Sequence, residues 1–261
     1  MTSAADQYLT SVLQNHEVFD LSDYREELDF LFDVLKEWAH DCYDCIIISG
    51  SRAKNTAVFP SSDVDIVVSL SSKCNDGNGG LRGLNSSFVA EMKTHYPNLR
   101  EQNVSVGLNL SGLAVDVTPA RKVPNFTHKH WIYSTKKQSY VQTNVRRHII
   151  DIAKSGRTKE IKLLKIWREK NSLDFPSVYM EYLLTFQILS GRSLSNLSDN
   201  LGHVFNELAR DVSNPLLNCR IEDPSNTNNI LSDLLTTVEK RRIIKSAKIA
   251  QAADYWESVF E

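Results

Sequence analysis

The sequence predicts an α+β protein in two lobes, a mixed β-sheet lobe leading into a helical one. Three observations carry this. Short β-branched runs at 46–49, 63–70 and 113–117, bounded by turn residues, fill the amino-terminal part. An amphipathic helix precedes them, and from Gln138 onward the apolar residues recur at helical spacing. The boundary is expected near residue 125, giving a sheet lobe over 1–125 and a helical lobe over 126–261.

Residues 23–39 carry Leu28, Leu31, Phe32, Val34, Leu35 and Trp38 at helical spacing with acids and Lys36 between them, which predicts a bracing helix. Residues 46–49 read as a short buried strand closed by Gly50-Ser51, and 63–70 as a second strand after the turn-like Pro60-Ser61-Ser62. The polar, glycine-rich stretch 73–83 reads as a connector, with a lid over a site as the alternative. Residues 86–95 look helical. Val104, Val106, Leu108 and Leu110 alternate with Ser105, Gly107 and Asn109, predicting a strand with one solvated face, and 113–117 pairs with it across Ser111-Gly112. Helices are expected over roughly 139–155, 158–171, 177–190, 199–213 and 237–258.

The 261 residues include 30 Lys+Arg against 32 Asp+Glu, a net charge of −2, and are 41% hydrophobic. That composition excludes disordered, collagen-like and membrane classes and gives no basic footprint for duplex nucleic acid. No apolar run reaches a membrane-spanning length and the amino terminus lacks the regions of a signal peptide, so no membrane partner and a cytoplasmic location are expected. Cys42, Cys45, Cys74 and Cys219 do not make a disulfide framework in a chain this long, which agrees with a reducing compartment. The Cys42-x-x-Cys45 spacing leads into the apolar run Ile46-Ile47-Ile48 with no second Cys/His pair nearby, and is read as structural.

The chemistry lies in Gly50-Ser51-Arg52-Ala53-Lys54-Asn55-Thr56 followed by Asp63-Val64-Asp65. Asp63 and Asp65 are two apart on a predicted strand, so both carboxylates project from one face. Their repulsion either raises one pKa or is relieved by a divalent cation, and oxygen-only ligands suit Mg2+ or Mn2+. A strand ending in Gly-Ser and turning into a short helix offers backbone N–H groups and a hydroxyl to a phosphate. Asp116, alternating against Val115 and Val117, supplies a third acid if its strand neighbours that of Asp65; three carboxylates beside a phosphate cradle are what two-metal phosphoryl transfer requires.

These motifs resemble the nucleotidyltransferase signature of the DNA polymerase β superfamily, a Gly-Ser, a D-x-D and a later single Asp. They are most similar to the branch holding cyclic GMP-AMP synthase, oligoadenylate synthases, bacterial CD-NTases and archaeal CCA-adding enzymes. Asp116-Val117-Thr118-Pro119-Ala120 looks like the third-aspartate strand, 161–168 (IKLLKIWR) like the lysine-bearing helix, and Asp223-Pro224 with Asn228-Asn229 like a late segment of bacterial members. Lys54-Asn55 stands where the family has a basic residue and glycine, so asparagine would make the tight turn.

The resemblance implies a bilobal nucleotidyltransferase fold whose helical lobe closes a nucleotide cleft. Gly50 and Ser51 would bind the triphosphate, Asp63, Asp65 and Asp116 would hold two Mg2+ or Mn2+ ions, and Asp116 would assist deprotonation of the attacking hydroxyl. Lys165 and Ser177 would reach the β- and γ-phosphates. Lys165 borders the apolar face of its helix, where an ammonium could line a cleft, with a snorkelling lysine as the alternative. Tyr179 would stack on a base, with Val178 competing for that place. Arg241, Lys245 and Lys248 make a basic stripe, either a solvated face or a path for a polyanion.

The implied activity joins nucleoside triphosphates into a cyclic or linear oligonucleotide signal of bacterial antiviral defence, releasing pyrophosphate. The alternatives are terminal or protein-primed polymerisation, transfer to tRNA, protein or an aminoglycoside, and a binding module without turnover, against which three intact, mutually repelling carboxylates argue. Partners implied are nucleoside triphosphates, a single-stranded oligonucleotide product or primer, and an effector or regulator protein.

Overall fold

The computed structural model describes residues 3–61, 63–74 and 79–261; Ser62 of the expected turn and residues 75–78 of the expected connector or lid lie outside them. In chain order the elements begin with α1 (Ala4–Asn15), α2 (Arg25–Ala39), β1 (Tyr43–Ser49), α3 (Gly50–Ala53), β2 (Val64–Leu70) and α4 (Gly80–His95). Then come β3 (Arg100–Glu101), β4 (Val106–Leu110), β5 (Leu113–Lys122), β6 (His130–Ser134) and β7 (Ser139–Thr143). The remainder is α5 (Val145–Ala153), α6 (Thr158–Lys170), α7 (Ser177–Leu183), α8 (Leu197–Leu208), α9 (Pro215–Asn218), the hairpin β8 (Glu222–Asp223) and β9 (Asn226–Ile230), α10 (Thr237–Gln251) and α11 (Glu257–Phe260).

These elements form two compact units that are not consecutive in sequence. A sheet unit comprises Phe19–Lys54 and Ser62–Ile149, and a helical unit comprises Met1–Val18, Asn55–Ser61 and Ile150–Glu261.

In the sheet unit the strand order is β1-β2-β5-β4-β3, with β6 pairing the end of β5 and β7 pairing β6. Only β2–β5 among these pairs is parallel, so the sheet is mixed, and the parallel pair is reached through a crossover that includes α4. The period-2 alternation puts Ile66, Val68, Val115 and Val117 on one face, under Leu31 and Leu35 of α2 and Phe88 and Met92 of α4. Truncating any of these fully enclosed side chains to Ala costs ~2–5 kcal/mol. The opposite face carries Asp65 and Asp116. α2 is supported by Glu26 and Glu27 in its first turn and Lys36 in its last, which complement the helix dipole.

In the helical unit, Ile161, Leu164 and Trp167 of α6 pack with Tyr179 and Leu183 of α7, Val204 and Phe205 of α8 and Ile243 of α10. α10 starts with a capping box in which Thr236 and Glu239 satisfy each other's backbone N–H groups.

Several expectations are corrected. The 139–155 stretch is not one helix: Ser139–Thr143 pairs with β6, Tyr133 opposite Tyr140, and α5 begins only at Val145. A five-residue strand is too short for its period to outweigh the helical pattern that follows, and its pairing partner lies elsewhere in the chain. α4 starts at Gly80, so part of the glycine-rich stretch is helix. The helix expected over 177–190 passes into a π turn at Leu184–Ile188, and that over 237–258 ends at Gln251. Gly107 on the supposed solvated face is buried. Cys42 and Cys74 are joined in a disulfide, Cα atoms 5.3 Å apart, whereas Cys45 and Cys219 are free. Among the described residues no helix is long and apolar enough to cross a membrane.

Candidate active site

The sheet register brings the predicted acids together. Asp65 of β2 lies opposite Asp116 of β5 in the parallel pair, and Ser49, the last residue before Gly50, lies opposite Asp65 on the other side. Adjacent strands are ~4.8 Å apart, so both carboxylates and the start of the Gly-Ser turn share one patch of the sheet. Asp63 immediately precedes β2 and is exposed.

Asp116 is half-buried, and its carboxyl is pushed above the ordinary range first by desolvation and then by the charge of Asp63; the nearby Arg100 charge and a hydrogen bond from Gln102 act against this. Gln102 Nε2 donates to Asp116 Oδ1 at 2.9 Å, and Ser105 Oγ donates to Gln102 Oε1 at 3.1 Å, fixing the amide. Gly107 lies opposite Asp116 on β4. A Cβ there would come within 2.9 Å of Gln102 Nε2 and 3.1 Å of Asp116 Oδ1, so this glycine makes room for the pair.

Gly50 has an even stricter role. Its φ of +62° suits glycine, and a Cβ would fall 1.6 Å from Asp65 Oδ2. Asp65 thus reaches the backbone of the Gly50-Ser51 turn only because nothing projects from Gly50. Ser51 follows on α3, a single turn of helix. Asn55 has φ +55°, the left-handed turn that the sequence assigned to it.

An oxygen-only set of carboxylates, one of them destabilised by another's charge, fits a divalent cation such as Mg2+ or Mn2+. Among the described residues no three His, Cys, Asp or Glu side chains form a preformed metal cluster, so register and charge, not a closed cage, are what join Asp63, Asp65 and Asp116.

The residues expected in the helical unit divide. Lys165 is 3% exposed, and its Nζ donates to Thr56 O (3.1 Å), Thr56 Oγ1 (2.9 Å) and Glu181 Oε1 (2.9 Å). Neither the phosphate-binding nor the snorkelling reading fits it: it is half of a buried ion pair that anchors Thr56 to α6 and α7. One turn earlier Lys162 is half-buried with its Nζ 3.4 Å from Asn55 Oδ1, and burial lowers its pKa while the charge of Glu17 opposes that. Lys162 was missed because the apolar pattern marks both lysines as bordering residues, and only the placement of Glu181 separates them. Ser177 begins α7 as expected and its Oγ accepts from Arg168 Nη1 at 2.9 Å. Tyr179 is fully buried, edge-on to Phe175 with its hydroxyl 3.4 Å from the Leu216 carbonyl, so it is a core residue with no face for a base, and Val178 is the partly exposed neighbour. Gln102 and Arg100 were not legible as site residues, because nothing local announces that their loop returns to β5.

No family model matches the chain. It is 25% identical over 239 residues to the cyclic AMP-AMP-AMP synthase of Escherichia coli (strain MS 115-1), covering 83% of this chain and 74% of that protein. Its fold superposes on the E. coli MS115-1 CdnC in complex with HORMA-deltaN with a TM-score of 0.75 at 22% identity, over 98% of this chain and 97% of that one. It superposes equally, at 14% identity over 98% and 95%, on the Bradyrhizobium diazoefficiens CD-NTase CdnG in complex with GTP. The Cid1 poly(U) polymerase gives a TM-score of 0.68 at 12% identity over 98% of both chains. With Asp65 and Asp116 in register beside the Gly50-Ser51 turn, the chain has the fold of the CD-NTases and is similar in sequence, over most of its length, to the E. coli cyclic AMP-AMP-AMP synthase.

Proposed function

We propose that this protein joins nucleoside triphosphates into a cyclic or linear oligonucleotide, a signal in bacterial antiviral defence made in the cytoplasm, with release of pyrophosphate. The observation that carries the reading is the parallel register of Asp65 with Asp116, under the charge of Asp63 and against the backbone of Gly50. Two divalent ions held by the three carboxylates supply, when bound, neutralisation of the triphosphate and activation of the attacking hydroxyl.

The chain's own residues do the rest. Asp116 takes the hydroxyl proton at Oδ2, the oxygen that Gln102 does not hold, as the sugar oxygen bonds to the α-phosphorus and the bond to the α–β bridging oxygen breaks. Gly50 and Ser51 bind the triphosphate. Lys162, in the role first expected of Lys165, and Ser177 hold the β- and γ-phosphates. The E. coli relative's structure with HORMA-deltaN supports a regulator protein as a further partner.

The test is incubation of purified protein with each labelled nucleoside triphosphate and Mg2+ or Mn2+, with Asp63→Ala/Asp65→Ala as control. Phosphatase-resistant small products formed only by the intact protein are expected. A second reading, polymer extension, is favoured by the exposed Arg241 and Lys245 of α10, and a ladder of growing products would select it. Pyrophosphate release that is unchanged in the double variant would refute both.

A further inference from the structure

Residues directly opposite one another on neighbouring strands share a face of the sheet, and here such neighbours line up across five strands. Ser49 of β1 lies opposite Asp65 of β2, Asp65 opposite Asp116 of β5, Asp116 opposite Gly107 of β4, and Gly107 opposite Arg100 of β3. At ~4.8 Å per strand, the start of the Gly50-Ser51 turn and the backbone of Arg100 stand on opposite sides of Asp116, each roughly 10 Å from it. Because Gly107 has no side chain, the guanidinium leans back towards the acids: a Cβ at Gly107 would lie 3.2 Å from Arg100 Nη2 and 3.1 Å from Asp116 Oδ1. Those two atoms are therefore no more than about 6 Å apart, a range over which opposite charges act on each other.

Arg100 is exposed, and among the described residues its guanidinium has no hydrogen bond or ion pair. Asp116 Oδ1 is held by Gln102 instead, and the neighbouring Glu101 is committed to Lys93 at 2.7 Å. A cation thus stands beside the catalytic acids with its donors unspent.

In-line displacement decides which substrate it can serve. The leaving β- and γ-phosphates belong to the Gly50-Ser51 side, so the attacking oxygen arrives on the opposite side of the α-phosphorus, from β4 and β3. An acceptor that carries a phosphate approaches Asp63, Asp65 and Asp116 against like charge; a guanidinium at the entry offsets that repulsion and takes phosphate oxygens in its planar fork. A neutral protein hydroxyl gains nothing from it, and a polycationic aminoglycoside is repelled by it. On a nucleotide the 5′-phosphate lies one sugar away from the ribose hydroxyls, which suits a cation a few ångströms from the group that takes the hydroxyl proton. We infer that Arg100 selects the acceptor: it binds the 5′-phosphate of the nucleotide whose ribose hydroxyl faces Asp116, an inference that rests on the nucleotidyl-transfer reading above.

The experiment separates the two substrates. Labelled 2′,3′-dideoxynucleoside triphosphates, which can give a nucleotidyl group but have no hydroxyl to accept one, are the donors with Mg2+ or Mn2+; each nucleoside 5′-monophosphate, or the matching nucleoside, is the acceptor. The whole parent protein is expected to use a monophosphate with kcat/KM at least about tenfold above that for its nucleoside. Arg100→Gln, at an exposed position and with the parent's melting temperature, brings the monophosphate down to the nucleoside's value; Arg100→Lys regains part of the difference, and the donor KM stays as in the parent. Loss of a charge beside Asp116 would by itself slow both acceptors alike, so their ratio reads phosphate recognition alone. The inference is overturned if the parent uses monophosphate and nucleoside equally, if Arg100→Gln slows both by the same factor, or if it changes the donor KM and leaves the ratio intact. No transfer from any donor to any acceptor would refute the nucleotidyl-transfer reading itself, and this inference with it.

Discussion

Replacing Gly50 by alanine isolates the geometric demand at the centre of the site. The backbone there has φ +62°, where an L-residue costs about 1–2 kcal/mol. The added Cβ would lie 1.6 Å from Asp65 Oδ2 and 2.3 Å from its Cγ, so the carboxylate must move by more than an ångström to regain van der Waals distance. Asp65 is in register with Asp116, and displacement of a reacting group by ~1 Å costs on the order of 100-fold in rate. The control is Gly112→Ala at the β4–β5 turn, where φ is +101° but a Cβ meets nothing within 4 Å. Both variants should lose stability, by roughly 2–4 °C in melting temperature per kcal/mol for a chain of this size. Only Gly50→Ala should lose Mg2+-dependent pyrophosphate release, by about 100-fold or more. A Gly50→Ala protein that keeps turnover within about threefold of the parent, or a Gly112→Ala protein as inactive as Gly50→Ala, would refute the reasoning.

Three further outcomes follow from the same geometry. Gln102→Leu removes the hydrogen bond that favours ionised Asp116, so the acidic limb of the kcat/KM profile, where the carboxylate must lose its proton, should move to higher pH. Because Asp116 is raised in the folded protein, its contribution to stability is favourable below the unfolded value of about 3.9 and is lost as pH rises through the raised folded value. Asp116→Asn should therefore raise the melting temperature of the metal-free protein at neutral pH while abolishing activity, and a lowered melting temperature would contradict the direction assigned to this group. Lys165→Met should destabilise by ~3–5 kcal/mol in a urea titration because it leaves the buried Glu181 carboxylate without the Lys165 countercharge, and Lys165→Met/Glu181→Leu should recover part of that. Lys162→Ala, by contrast, should raise the KM for nucleoside triphosphate with little change in the urea midpoint; equal destabilisation by the two single variants would remove the distinction.

The strands around the chemistry were legible in the sequence because their signal is local. β-branched runs with period 2 fix which face each of Asp65 and Asp116 takes, and the Gly-Ser and the left-handed Asn55 mark the turn by the conformations these residues permit. α2 and α6 were equally readable, since an apolar face at helical spacing is a property of one segment. What failed depended on partners distant in the chain. β7 is a strand because β6 satisfies its backbone, and Cys42 meets Cys74 across 32 residues.

The sequence by itself therefore determined the strands that carry Asp65 and Asp116, the face each acid takes and the turn conformations at Gly50 and Asn55, but not the division of the chain into units, which runs to Ile149 and takes Met1–Val18 and Asn55–Ser61 into the helical unit. Tertiary structure alone decided which lysine of α6 is sealed against Glu181 and which is left half-buried, that Tyr179 belongs to the core, and that Gln102 holds Asp116. The physical reason is that facing and turn geometry follow from the backbone of a few consecutive residues. Burial, ion pairing and pKa are set by whichever side chains the packing of remote segments brings within a few ångströms.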